Sequence, residues 1–143
     1  MNSITGGCHC GNVRVVLGLT KDPSAYQPRA CDCSFCTRHA AAYISDAAGS
    51  LSLQIKDRRQ LKTYRQGSNT ADFLFCRNCG VLIGVTYREG TETYAAVNAR
   101  IIDHGVTLGQ EVTGSPQKLS PDEKVARWKQ LWFKPMGFTL DAD

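Results

Sequence analysis

The side chains best equipped for chemistry are seven cysteines in 143 residues, and every one falls in a short cluster. The clusters are Cys8-His9-Cys10-Gly11, Cys31-Asp32-Cys33-Ser34-Phe35-Cys36 and Cys76-Arg77-Asn78-Cys79-Gly80. An odd count excludes complete intrachain disulfide pairing. Clustering of all the thiols argues against incidental core cysteines. Cys76 and Cys79 stand three apart, a spacing that bends the chain into a knuckle with both sulfurs aimed at one ion. Gly80 follows, where a positive φ carries no steric cost. Cys8 and Cys10 stand two apart, so on extended chain they share a face. Two plus two makes a tetrahedral four-cysteine zinc site joining distant segments. A site closed in this way leaves no position for substrate and is structural.

Cys31, Cys33 and Cys36 remain. Three thiolates from one loop hold zinc at three positions and leave a fourth open, as catalytic sites do. Three thiolates around Zn²⁺ leave a net charge of −1, which makes the centre a poor activator of water. It suits a soft fourth ligand such as a substrate thiol, held as a nucleophilic thiolate. Thiol chemistry is therefore expected rather than metal-hydroxide hydrolysis. Two other readings stay open on spacing alone. Asp32, His39 or His104 completes the three-cysteine site and makes it non-catalytic, or Cys33 and Cys36 form a redox dithiol. The second lacks the βαβ pattern that surrounds thioredoxin-like motifs. His9, between two ligands, is expected to point away from the metal and be structural or solvent-facing.

The elements that must position these clusters read mainly as strands. Val13, Val15, Leu17 and Leu19 alternate with Arg14, Val16, Gly18 and Thr20, and Leu51, Leu53 and Ile55 alternate with Ser52, Gln54 and Lys56. This period of two marks half-buried strands. Residues 41–45, 70–75, 81–87 and 93–97 are further strand candidates, separated by turn sequences such as Asp22-Pro23-Ser24 and Gly67-Ser68-Asn69. A short helical turn is predicted from Thr37 to Ala41. One helix, over about 121–132, is strongly signposted. Ser120 is its N-cap, Pro121 occupies the first position and Glu123 closes a capping box. Val125, Trp128, Leu131 and Trp132 form its apolar stripe, and Pro135 stops it. The two tryptophans are read as core rather than as a substrate platform. The whole of 1–143 reads as a single domain of mainly β class.

Composition narrows the function classes. Apolar residues make up 42 % and charged residues 21 %, values of an ordinary globular chain. No apolar run is long enough to span a membrane. Met1 to Cys8 lacks the basic and apolar regions of a secretory signal, so a cytoplasmic location is expected. The formal charge of +4 comes from scattered Lys and Arg, which argues against a nucleic-acid partner. Seven thiolates and two Zn²⁺ together take three charges off that balance.

The motif order Gly6-Gly7-Cys8-His9-Cys10-Gly11, Cys31-x-Cys33-Ser34-x-Cys36 with Arg38, and Phe75-Cys76-x-x-Cys79-Gly80 resembles the glutathione-dependent formaldehyde-activating enzyme family. That family also contains the centromere protein V domain. The likeness spans about residues 3–103 and includes 97–103, which looks like the family's closing strand. It implies a β-tent fold, to which the helix read over 121–132 adds a short C-terminal element, and two zinc ions. The structural ion takes Cys8, Cys10, Cys76 and Cys79, and the catalytic ion takes Cys31, Cys33 and Cys36. The implied activity is that of an S-(hydroxymethyl)glutathione synthase, a carbon–sulfur lyase whose substrates are a small thiol, glutathione, and an aldehyde, formaldehyde. A non-enzymatic zinc module binding protein or nucleic acid, as in the centromere protein V branch, is the alternative. One departure stands out. Ala71 to Cys76 lacks the basic residue that relatives often carry just before the last knuckle. Arg38 and Arg100 are the expected substitutes for carboxylate recognition.

Overall fold

A computed structural model describes residues 2–135. Ten strands and two helices follow in order: β1 (Asn2–Gly7), β2 (Val13–Leu19), β3 (Arg29–Cys31), α1 (Ser34–Arg38), β4 (Ala42–Ile44), β5 (Ser50–Ile55), β6 (Leu61–Tyr64), β7 (Asp72–Cys76), β8 (Leu82–Glu89), β9 (Glu92–Asn98), β10 (Val112–Gly114) and α2 (Pro121–Leu131). They build two sheets. The smaller is antiparallel in the order β1-β2-β5, and the larger runs β10-β3-β4-β9-β8-β7-β6. The β10–β3 pair is parallel and the other neighbours in the large sheet are antiparallel. The fold is thus mostly β, as the alternation predicts. Among the described residues, no helix is long and apolar enough to cross a membrane.

Alternation explains the layering. Val13, Val15, Leu17 and Leu19 on β2 are fully buried and pack with Ile44, Leu74, Ile83 and Val97 of the large sheet. The next residues along the same strands, Tyr43, Phe73 and Ala96, belong to a second buried cluster with Val85, Cys36 and Trp132. Successive side chains on a strand point to opposite faces, so the central strands of the large sheet are buried on both faces. One face packs on the small sheet. The other is covered by α1 and α2 and carries the three-cysteine loop.

Several boundaries differ from expectation for local reasons. The helical turn begins at Ser34 rather than Thr37, because Cys33 caps it: its sulfur accepts the Cys36 N–H at 3.3 Å. Helix α2 has the predicted capping box at Ser120 and Glu123. It ends at Leu131, before Pro135 is reached, because Trp132 turns extended and Phe133 forms a β-bridge to Ala95. Residues 97–103 are not a closing strand. Chain pairing stops at Asn98, whose side chain accepts the Arg100 N–H and starts a 3-10 turn over Ala99–Ile101. Ile102 then makes a single bridge to Gly6.

Candidate metal centre

The first cluster joins the β1–β2 turn to the end of β7. Cys8 and Cys76 are buried, Cys79 is half-buried and Cys10 is exposed. Val13 N–H donates to the Cys8 sulfur at 3.3 Å, and Gly11 takes a φ of +84° just after Cys10. In the knuckle, Gly80 N–H donates to the Cys76 carbonyl at 2.8 Å with φ +81°, the left-handed geometry predicted for that glycine. The Cys8 and Cys10 sulfurs are 3.7 Å apart, and those of Cys10 and Cys76 are 3.6 Å apart. A tetrahedron of 2.3 Å Zn–S bonds has sulfur–sulfur edges of about 3.8 Å. These two edges match that spacing, and all four sulfurs lie within 4.8 Å of one another.

The second cluster stands on β3 and α1, with the sulfurs of Cys31, Cys33 and Cys36 all within 4.8 Å of one another. Cys36 is almost wholly enclosed, while Cys31 and Cys33 are half-buried. No fourth His, Cys or carboxylate of the described residues joins them. The three candidates for that role lie elsewhere. His39 packs against the rings of Phe35 and Phe75 at 4.8 and 5.5 Å. Asp32 accepts the Ser115 hydroxyl. His104 lies beside Asp103, which pairs with Arg14. His9 is solvent-facing, as read from its place between two ligands. Both clusters could hold a metal ion, and their all-sulfur donors suit zinc.

Proton sharing within the clusters shows how they favour a cation. A hydrogen bond from Cys36 is the main cause that brings the Cys31 thiol down to about 6. The bond to Cys31 together with burial pushes Cys36 far up. In the first cluster, the Asn78 side chain and then the Asn12 backbone hold Cys10 at about 6, and burial raises Cys76 to about 12. Each cluster thus sets a lowered thiol beside a raised one, and binding of a cation releases the protons that remain.

A cavity of about 360 Å³ opens on the second cluster, at the small end of the range for small-molecule sites. Its walls include Phe73, Val85, Trp128 and Trp132 on the apolar side and Arg29, Lys124 and Arg127 on the cationic side. The two indoles stack at 4.8 Å. Trp132 belongs to the core as expected, Trp128 is half-buried against it, and both face the cavity. Two polar side chains that the spacing of cysteines did not reveal touch the cluster. The Tyr43 hydroxyl lies 3.3 Å from the Cys36 sulfur, and Gln66 Nε2 lies 4.0 Å from that of Cys33. Tyr43 sits in strand alternation with Ile44, which offered no hint beyond its polar tip. Burial and the neighbouring thiols push the Tyr43 phenol well above its usual range, so it keeps its proton.

Neither arginine singled out for carboxylate recognition lines this cavity. Arg38 turns back along α1 to the Ser34 carbonyl. Arg100 donates to the Ala40 carbonyl and to Glu111 at 2.7 Å.

Two comparisons bear on these features. The family model described as glutathione-dependent formaldehyde-activating enzyme matches residues 3–125. A crystal structure of a Rhodobacter sphaeroides protein is similar at 29 % identity and a TM-score of 0.55, over 76 % of this chain and 100 % of that one.

Proposed function

The chain belongs to the glutathione-dependent formaldehyde-activating enzyme family, and on that premise we propose that it is a zinc-dependent carbon–sulfur lyase. It joins a small thiol to an aldehyde, or separates them, at Cys31, Cys33 and Cys36, while Cys8, Cys10, Cys76 and Cys79 hold a structural ion. The single observation that carries the reading is the open three-sulfur cluster at the base of a cavity. Zinc held by Cys31, Cys33 and Cys36 would supply a soft cation that favours the thiolate form of a substrate sulfur.

The protein's own groups then sort the sulfurs. Cys33 accepts the Cys36 N–H, and Cys36 faces the Tyr43 hydroxyl. Hydrogen bonds to a thiolate favour its charged form and draw off its negative charge. The resident sulfurs are thereby held as ligands rather than nucleophiles. A substrate sulfur has no such donors and remains the reactive one. The apolar wall of Phe73, Val85 and the stacked indoles limits water beside it. Positioning contributes most, because formaldehyde reacts with thiols unaided. The step balances without another reactant: the thiol loses its proton, the S–C bond forms, and the carbonyl oxygen gains a proton to become hydroxyl. Lysis is the reverse. Tyr43 orients Cys36 through its hydroxyl.

Zinc content tests the reading. Wild type is expected to carry two ions per chain and Cys36→Ser about one, with the fold retained and thiol–formaldehyde exchange lost. One ion in wild type, or retained exchange in the variant, contradicts it.

A further inference from the structure

Three cations face the cavity, and no carboxylate among the described residues lines it. Arg29 lies on β3 two residues before Cys31, so strand alternation turns both side chains to the same face. Its guanidinium has five N–H donors and, among the described residues, one hydrogen bond, to the Ser45 hydroxyl at 2.8 Å. Arg127 lines the same cavity. Lys124 and Arg127 are three apart on α2 and therefore share a face. Among the described residues, neither has an ion-pair partner, whereas Lys129 on the same helix pairs with Glu89. Three cations lining one cavity with no carboxylate among them repel one another until an anion arrives. Three thiolates with one dication leave a single negative charge, so three cations exceed what the cluster itself neutralises.

We propose that Arg29, Arg127 and Lys124 form an anion-binding wall that selects a thiol bearing an anionic group and docks that group while the sulfur lies at the cysteine cluster. Arg29 is the anchor, since a partly buried guanidinium binds oxyanions in a bidentate fashion. Lys124 and Arg127 close over the ligand from the helix side. This inference rests on the reading that a thiol occupies the cavity. It adds which part of the thiol is recognised and by which residues.

Both tryptophans of the chain line the cavity, so intrinsic fluorescence reports its occupancy directly. The test titrates the zinc-loaded full chain with S-methylglutathione, whose sulfur is blocked, with its dimethyl ester, and with inorganic phosphate. The acid is expected to bind at least tenfold more tightly than the ester. Arg29→Gln is expected to weaken the acid at least tenfold and leave the ester unchanged. Arg127→Gln, on the exposed side of α2, is expected to weaken the acid severalfold and serves should Arg29→Gln fold poorly. Phosphate displacing the acid in wild type and not in Arg29→Gln supports an oxyanion wall that also accepts phosphoryl groups. Displacement by the acid alone supports a carboxylate site. Equal affinity for acid and ester, or affinity for the acid unaltered in both variants, overturns the proposal. Zinc stoichiometry distinguishes the two failures: an insensitive wall with two ions bound leaves the thiol reading standing, and one ion bound removes both.

Discussion

Removing one cysteine from each cluster should affect stability unequally, and the chain geometry sets the size of the difference. Cys10 and Cys76 are 66 residues apart in sequence, so in the unfolded chain the two halves of their site are scattered. Bringing them together without the fold costs loop-closure entropy of about 4 kcal/mol for a loop of that length. That closure is what the folded sheets provide, and it couples zinc binding at this site to folding. Cys31 and Cys36 are only five residues apart. Closing so short a loop costs about 2 kcal/mol on the same scale. The unfolded segment therefore still chelates the ion, and binding to the unfolded state cancels part of the stabilisation. In urea unfolding followed by tryptophan fluorescence with zinc in excess, Cys10→Ser should lose about 4 kcal/mol. Cys33→Ser should lose under about 2 kcal/mol. Equal losses, or a loss below about 1 kcal/mol for Cys10→Ser, would refute the division into a fold-closing site and a local one.

Three other outcomes follow from single contacts. Tyr43→Phe removes the hydroxyl 3.3 Å from Cys36; a hydrogen bond to a charged group contributes about 1.5–3 kcal/mol. Zinc affinity at the three-sulfur cluster should fall roughly tenfold or more, with the four-sulfur site unchanged in a chelator competition that resolves the two ions. Burial would raise the Asp46 carboxyl, yet donors from Tyr26, Thr20 and Ala48 outweigh it and hold it at about 2. Its folded pKa lies below the unfolded value of about 3.9, so its contribution is complete above pH of about 4 and vanishes as pH falls toward 2. Wild type should lose roughly 2 kcal/mol through that window relative to Asp46→Asn, read by acid titration of the urea midpoint. Phe133 is fully enclosed and bridges to Ala95, and Phe133→Ala should cost about 3–5 kcal/mol by cavity formation, measured in the same unfolding assay.

The cysteine clusters were legible in the sequence because metal geometry imposes short, fixed spacings, and the structure gathers the seven thiols into the same four and three. The alternating strands β2 and β5 were equally plain, since one side of each is apolar. Strand β1 was hidden because it carries two glycines and buries Ile4 as its one large side chain. Strands β3 and β10 are three residues long, too short for any periodicity. What the sequence could not show is how distant elements meet. Arg29, Gln66 and Tyr43 reach the cavity from three separate strands or loops. Arg38 and Arg100 are nearer to family motifs in sequence and are tied to backbone carbonyls elsewhere. Proximity in sequence predicted the grouping of the thiols well and the cavity lining around them poorly, because that lining is set by sheet pairing over long range.

The most direct measurement is exchange NMR of a glutathione–formaldehyde mixture at equilibrium, with and without the zinc-loaded protein, repeated with other thiols. Exchange between free thiol and hydroxymethyl adduct should accelerate with wild type and return to the uncatalysed rate with Cys36→Ser. No acceleration by a wild-type chain carrying two zinc ions, for any thiol tried, would contradict the assignment of this cluster to carbon–sulfur chemistry.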